Sequence, residues 1–341
     1  MRTAALVLLS ALCLVPDAFA RTRSIGHRNN PIPWQAPACA TLGLPYLSFI
    51  DAAGQVHRTE DYPKIDLQAV AIGAAANTMY ALTSDGAIHE SRDAGCTWSV
   101  RASVPEVLAN QRTVNIATRH YARVYAYSET AMVRLTFGTV ETIAFPERFV
   151  RLGVNPENMQ HLRAIAAAGG VFESLDGGST WTRVGNVRYG IVTAVAFNPT
   201  DFDHIIASTG NTYQSRDGGR TWTRAGLPQA KVWHLEFSSA DPNVIWADIL
   251  EFPTRYGALW RSNDGGAMFQ YQTGIHTAVR AADGRLAPHP TDASLLAVGK
   301  QGVRLVKNNY IKETWFYDNV LEAVWSPAGT LYYIAYRVEF R

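Results

Sequence analysis

Ser215-Arg-Asp-Gly-Gly-Arg-Thr-Trp222 recurs three more times along the chain. The other copies are Ser91-Arg-Asp-Ala-Gly-Cys-Thr-Trp98, Ser174-Leu-Asp-Gly-Gly-Ser-Thr-Trp181 and Ser262-Asn-Asp-Gly-Gly-Ala-Met-Phe269, the last departing at Met268 and Phe269. Successive serines are 83, 41 and 47 residues apart. The first interval is twice the second, which places a degenerate copy near Ala131-Met-Val-Arg-Leu135; a further copy is expected at Gly302-Val-Arg-Leu-Val306. A second motif runs in phase: Val154-Asn-Pro156, Phe197-Asn-Pro199, Asp241-Pro242, Pro288-His-Pro290 and Trp325-Ser-Pro327 each close one apolar run and precede another. Proline donates no ladder hydrogen bond, so it belongs in the turn between strands. Each repeat reads strand, proline turn, strand, loop, strand, Ser-x-Asp turn, strand.

A period in the forties with four short strands per unit is the signature of a β-propeller blade. Blades are expected at about 67–103, 112–146, 148–185, 190–227, 231–273 and 279–318. Residues 321–340 supply two more strands and residues 46–60 another two. The fold class is therefore all-β, a seven-bladed β-propeller whose ring is closed by N- and C-terminal strands in one blade; six blades with a loose end is the alternative. Within the turns, Ser91, Ser174, Ser215 and Ser262, with Asp93, Asp176, Asp217 and Asp264, read as architecture. The carboxylate accepts N–H bonds of its own turn, and Trp98, Trp181, Trp222 and Phe269 pack between strands.

The Ser-x-Asp-x-Gly-x-Thr-Trp core resembles the Asp-box (bacterial neuraminidase) repeat. That resemblance implies that the boxes lie on the propeller face away from any active site, so chemistry would sit in the opposite loops. Chains of this length with a leader and seven such blades resemble the photosystem II stability and assembly factor family, which implies an arginine-bearing face that holds a partner polypeptide. Sialidases share the repeat, but their Arg-Ile-Pro signature has no counterpart; the nearest string is Asn30-Pro31-Ile32-Pro33.

The chain has 341 residues, 47% hydrophobic and 18% charged, with a formal net charge of +2. This excludes extensive disorder and a nucleic-acid binder working through a global positive field. Arg2, the apolar run 4–15 and Ala18-Phe19-Ala20 read as a secretory signal peptide, residues 1–20. Residues 21–45 then form an N-terminal arm, residues 46–341 the propeller, and the mature protein is expected to be secreted or periplasmic with no transmembrane segment. Cys39 and Cys96 remain after cleavage, as a disulfide or as two buried thiols.

The loops opposite the boxes carry roughly one base per blade: Arg112, Arg148, Arg188, Lys231, Arg255, Arg280 and Lys300. The longest, 248–257, singles out Glu251, Arg255 and Tyr256, and Tyr189 and Trp233 offer aromatic surface. His234 and Glu236 share one face of a strand and read as a satisfied polar pair near the channel, while His57 and His89 occupy equivalent repeat positions. No catalytic residue, metal or cofactor is assigned. The function read from these features is an exported non-catalytic scaffold or assembly factor that binds another protein. The alternatives are a glycan-active enzyme of the sialidase or glycoside hydrolase type, and a carbohydrate-binding propeller with Trp233, Tyr256 and Tyr189 stacking on sugar rings.

Overall fold

The computed structural model describes residues 33–58, 67–105, 115–120, 123–188, 190–250, 257–277, 285–308 and 310–336. The expected signal peptide, Arg112, Tyr189, Glu251, Arg255, Tyr256 and Arg280 lie outside the described residues, as does the side chain of Lys300. Every described element is a strand. Seven innermost strands follow one another around an axis: Leu67–Ile72, Asn115–His120, Phe149–Val154, Ala194–Phe197, Lys231–Phe237, Arg285–Pro288 and the second half of Tyr310–Trp325, which returns to the first. They define blades 1 to 7, and the fold is a seven-bladed β-propeller.

Burial falls from the middle of each blade to its rim. The second strands Met79–Thr83 and Leu162–Ala166 are buried at every position. Blades pack face to face, so a strand flanked by two neighbours has no solvent side and reads as an unbroken apolar run. The outermost strands Ser99–Ser103 and Thr182–Asn186 are largely exposed and correspondingly polar.

Blades 6 and 7 are less separate than the repeat suggests. Leu295–Lys307 pairs along its first half with Arg285–Pro288 and along its second with Tyr310–Trp325, which in turn pairs with Leu331–Tyr336. Trp315-Phe-Tyr-Asp-Asn-Val320 contains no Gly or Pro to break the strand, and its aromatic residues favour extended backbone. The same sheet continues onto the N-terminal strands: Leu47–Ile50 pairs with Leu331–Tyr336, Leu47 opposite Ile334, and then with Val56–His57. His57 and His89 are not equivalent. His57 follows its turn, donates from Nε2 to Asp51 Oδ2 at 3.0 Å and stacks on Phe49, whereas His89 precedes its turn in the third strand of blade 1.

The four Ser-x-Asp turns share one geometry. The serine hydroxyl donates to the aspartate at 2.7–2.8 Å and accepts the amide of Gly95, Gly178, Gly219 or Gly266 at 2.8–2.9 Å. The aspartate also accepts the amide four residues on and, in the first three copies, the threonine hydroxyl at 2.6 Å. Gly218 and Gly219 hold φ of 72° and 90°, the left-handed region that a Cβ disfavours. Trp222 is buried and donates to Gly219 O, while Trp98, which donates likewise to Gly95 O, and Trp181 are half-buried.

These turns share a face with the proline turns: Gly177, Gly218 and Gly265 donate to Gln160, Asp203 and Asn243 of the adjacent proline turn in the same blade. They also dock on the preceding blade. Arg134 of blade 2 donates to Gly177 O of blade 3 at 2.8 Å, Arg163 of blade 3 to Phe202 O of blade 4 at 2.5 Å, and Arg216 of blade 4 to Gly265 O of blade 5 at 3.3 Å. A forked guanidinium reaches backbone carbonyls across a junction while keeping its charge. Gly185 shows how close the fit is, since a Cβ there would meet Gly219 O at 2.0 Å.

The N-terminal arm uses the same dock. Gly43 N donates to Gly95 O at 3.1 Å, and Cys39 and Cys96 form a disulfide with a Cα separation of 5.7 Å. The bridge closes a separation of 57 residues, for which chain entropy gives a contribution of about 4 kcal/mol. Reduction, or Cys39→Ser with Cys96→Ser, is expected to lower Tm by roughly 5–10 °C in calorimetry; an unchanged Tm contradicts this account of the arm.

Hydrogen bonding inside the turn lowers the carboxyl pKa values. In Asp176 the Thr180 hydroxyl and amide bring it to about 2; in Asp217 burial opposes the shift, but Thr221 and Ser215 still bring it to about 2. Because the folded values lie below the unfolded ones, this stabilisation is complete above the ordinary carboxyl range near 4 and is lost as pH falls toward 2. Urea midpoints measured from pH 5 to pH 2.5 should fall, and Asp217→Asn should lower the midpoint at pH 5 while flattening the slope.

Candidate functional site

The innermost strand of each blade presents alternate residues to the axis. At the position five residues before the turn proline stand Arg151, Ala194, Arg285 and Glu322, with His234 at the same place in blade 5. These residues, with Glu236, form a charged belt in the channel. Arg151 Nη2 donates to Glu236 Oε1 at 2.7 Å, reaching from blade 3 to blade 5. Blade 4 offers only Ala194 and Ala196 at the corresponding places, which leaves room for the arginine to cross. Arg285 Nε donates to Leu321 O at 3.2 Å and lies 3.9 Å from Glu322 Oε1. His234 Nδ1 is 3.7 Å from Asp248 on the neighbouring strand.

Two cations and two carboxylates thus balance at the waist. The Glu236 carboxylate raises the affinity of Arg151 for its proton against the opposing effect of burial. Burial raises the Glu322 carboxyl above its ordinary range, with Arg285 and Arg151 opposing. Burial also raises the Tyr127 phenol beside them. The ionic belt is paired internally, and among the described residues no group of His, Cys, Asp and Glu is arranged to hold a metal ion.

The belt separates two cavities, both touching Asn115, Tyr127, Arg151, Glu236 and Arg285. One, of about 390 Å³, opens among the proline turns beside Pro156, Pro199 and Pro290. The other, of about 470 Å³, opens on the loop face. Its rim is built by Ile191, which is 73% exposed, by Trp233, and by the ion pair of Arg148 with Glu129. Lys231 Nζ lies 3.7 Å from the centre of the Trp233 ring, which fixes the indole at the rim with its cation to one side.

Of the residues singled out in the sequence, the structure brings Lys231 and Trp233 together at this mouth. Arg188 is exposed at a separate hollow beside Asn186 and Gly190. His234 and Glu236 both line the loop-face cavity but take different partners: His234 is paired opposite Asp248, whereas Glu236 is opposite Trp246 and reaches Arg151 across the channel. Arg151, Arg285 and Glu322 were legible only by aligning the repeats on their turn prolines: a charge recurring inside an otherwise apolar strand faces the axis.

No family model matches the sequence. The chain is 27% identical over 288 residues to the Dispase autolysis-inducing protein of Streptomyces mobaraensis, a match covering 77% of this chain and 76% of that one. Among solved structures, a GH74 enzyme from Niastella koreensis superposes with a TM-score of 0.61 at 15% identity over 79% of this chain; the match spans 51% of that enzyme. YCF48 from Cyanidioschyzon merolae superposes with a TM-score of 0.58 at 14% identity, covering 85% of this chain and 98% of its own. YCF48 bound to a D1 peptide gives 0.54 at 12% identity, over 81% and 98% of the two chains. At these identities the structural likenesses establish the fold.

The belt carries a direct prediction. Arg151→Met leaves Glu236 without its guanidinium, which should cost about 1.5–3 kcal/mol. Arg151→Met with Glu236→Leu should recover most of that loss in a urea-denaturation double-mutant cycle; additive losses contradict the cross-channel pairing.

Proposed function

We propose that this chain is an exported, non-catalytic propeller that binds another polypeptide at the loop-face mouth of its channel, as a scaffold or an assembly or stability factor. The observation that carries the reading is the rim itself. Trp233 and Ile191 expose apolar surface beside the Lys231 ammonium and the Arg148–Glu129 pair, the mix of an aromatic anchor and polar margin by which protein partners are held. A curated relative is named for an effect on another protein, and a propeller of similar fold is known with a bound peptide. The Arg2-headed apolar segment and the Cys39–Cys96 bridge favour an oxidising compartment outside the cytoplasm. The glycan reading rests on the repeat shared with sialidases and on fold likeness to GH74 enzymes, and the channel carboxylates Glu236 and Glu322 face Arg151 and Arg285.

The test is affinity capture from the native envelope or culture supernatant with residues 21–341, beside the Trp233→Ala and Lys231→Glu variants, with purified dispase as a defined second probe. A near-stoichiometric protein whose affinity falls roughly 30-fold in Trp233→Ala is expected. Capture indifferent to both variants, or turnover of xyloglucan or a sialoside by the wild type, would overturn the reading.

A further inference from the structure

The junction between blades 1 and 2 differs from the junctions that follow it. From blade 2 to blade 5 each junction is filled by the Ser-x-Asp turn or the proline turn of the later blade, held by arginines of the earlier one. Neither motif occurs in the sequence of blade 2. Its third and fourth strands, Met132–Thr136 and Thr139–Ile143, are joined by the two-residue turn Phe137-Gly138. What remains is a cavity of about 480 Å³ bordered by Tyr80, Glu90, Arg92 and Arg101 of blade 1 and by Phe137 and Gly138 of blade 2.

The walls of this notch match a filled one elsewhere in the same molecule. Counting from the box serines, Tyr80 and Glu90 correspond to Arg163 and Glu173 of blade 3. There, Arg163 bonds Glu173 at 2.8 Å and reaches across to the proline turn of blade 4, to Phe202 O and to the Asp203 carboxylate at 2.7 Å. In blade 1 the buried Glu90 is bonded by Arg101 at 2.9 Å and Arg92 at 3.4 Å, with the Tyr80 hydroxyl at 3.4 Å. Two guanidiniums share one carboxylate, and neither reaches a carbonyl or acid of blade 2 among the described residues. Among the described residues the notch therefore carries excess positive charge, with donors of the kind that grip a turn at the later junctions.

Two further features mark the notch as a surface for something outside the described chain. Phe137 sits at φ 49° and is 79% exposed; a bulky residue in the left-handed region of a hairpin turn is strained, where Asn or Gly would be relaxed. That strain holds an aromatic ring at the rim, facing water. Ala102 stands where blade 3 has Gly185, so a ligand here cannot bring its backbone against the outer strand as Gly219 does, and must be held by its tip.

We propose that this notch is a second binding site, which takes a polypeptide turn from a partner protein. The turn presents one acidic side chain and an adjacent backbone carbonyl to Arg92 and Arg101, with an apolar residue against Phe137. The site stands apart from the loop-face mouth and on the opposite face, and it can succeed or fail independently of the function proposed above.

The molecule contains its own template for the ligand. Asn198-Pro-Thr-Asp-Phe-Asp-His204, cyclised, carries the carbonyl and carboxylate that Arg163 grips. Titrated into the isotope-labelled protein, this peptide should shift the Arg92 and Arg101 side-chain Nε–H resonances and the Phe137 and Gly138 amides, saturably. Binding should weaken about 10-fold when the peptide's second Asp, the counterpart of Asp203, is replaced by Asn, and by a similar factor in Arg92→Ala. Arg92 is 72% exposed, so its loss leaves the fold intact; Phe137→Gly serves as an independent check on the rim. Equal shifts with acetate at matched concentration mean that the notch reads an anion only. Either that result, or shifts elsewhere that are unaffected by Arg92→Ala, overturns the proposal.

Discussion

A carboxylate enclosed in its own turn underlies this architecture. In each Ser-x-Asp turn the aspartate accepts the serine hydroxyl and the amide four residues on, so the turn is braced from within, and the carbonyls of Gly177 and Gly265 are left for the neighbouring blade. Those carbonyls are what the arginines of the preceding blade take hold of at the junctions into blades 3 and 5. Local satisfaction of the turn and long-range closure of the ring are thus one device. It also ties the repeated acids into the architecture, each accepting two or three hydrogen bonds within its own turn.

The device divides the molecule into two faces. The turn face is committed to holding blades together, with the disulfide and Gly43 applying the same dock to the N-terminal arm. The loop face also links neighbouring blades, through Phe149 N to Glu129 O and the Arg148–Glu129 pair, but it is there that Trp233, Lys231 and Ile191 gather around the channel. Between the faces, the Arg151–Glu236 pair spans the axis. A half-buried pair of this kind contributes little net stability compared with apolar packing. The notch between blades 1 and 2 is the exception on the turn face, and it arises where a repeat has lost its turn.

Most of the fold was legible because the repeat encodes it twice, in the Ser-x-Asp turns and in the proline turns. Two degenerate copies, near Met132 and Val303, were placed by spacing alone and are strands. The continuity of 310–325 was not legible, since a strand that serves two blades has no break for the sequence to mark. The site was read less well. Lys231 and Trp233 were found as loop residues, but Arg151, Arg285 and Glu322 look like ordinary charges until the repeats are stacked. The unfilled notch was invisible in principle: Phe137-Gly138 reads as a tight turn, and only packing against Arg92 and Arg101 shows what that turn fails to cover.

The division of labour between the faces is the central claim, and hydrogen–deuterium exchange with a captured partner bound tests it most directly. The account predicts slowed exchange at residues 191–195 and 231–235 on the loop face, with the amides of the turns at 174–181 and 215–222 unchanged. Slowing confined to those Ser-x-Asp turns, with the loop face unaffected, would contradict it.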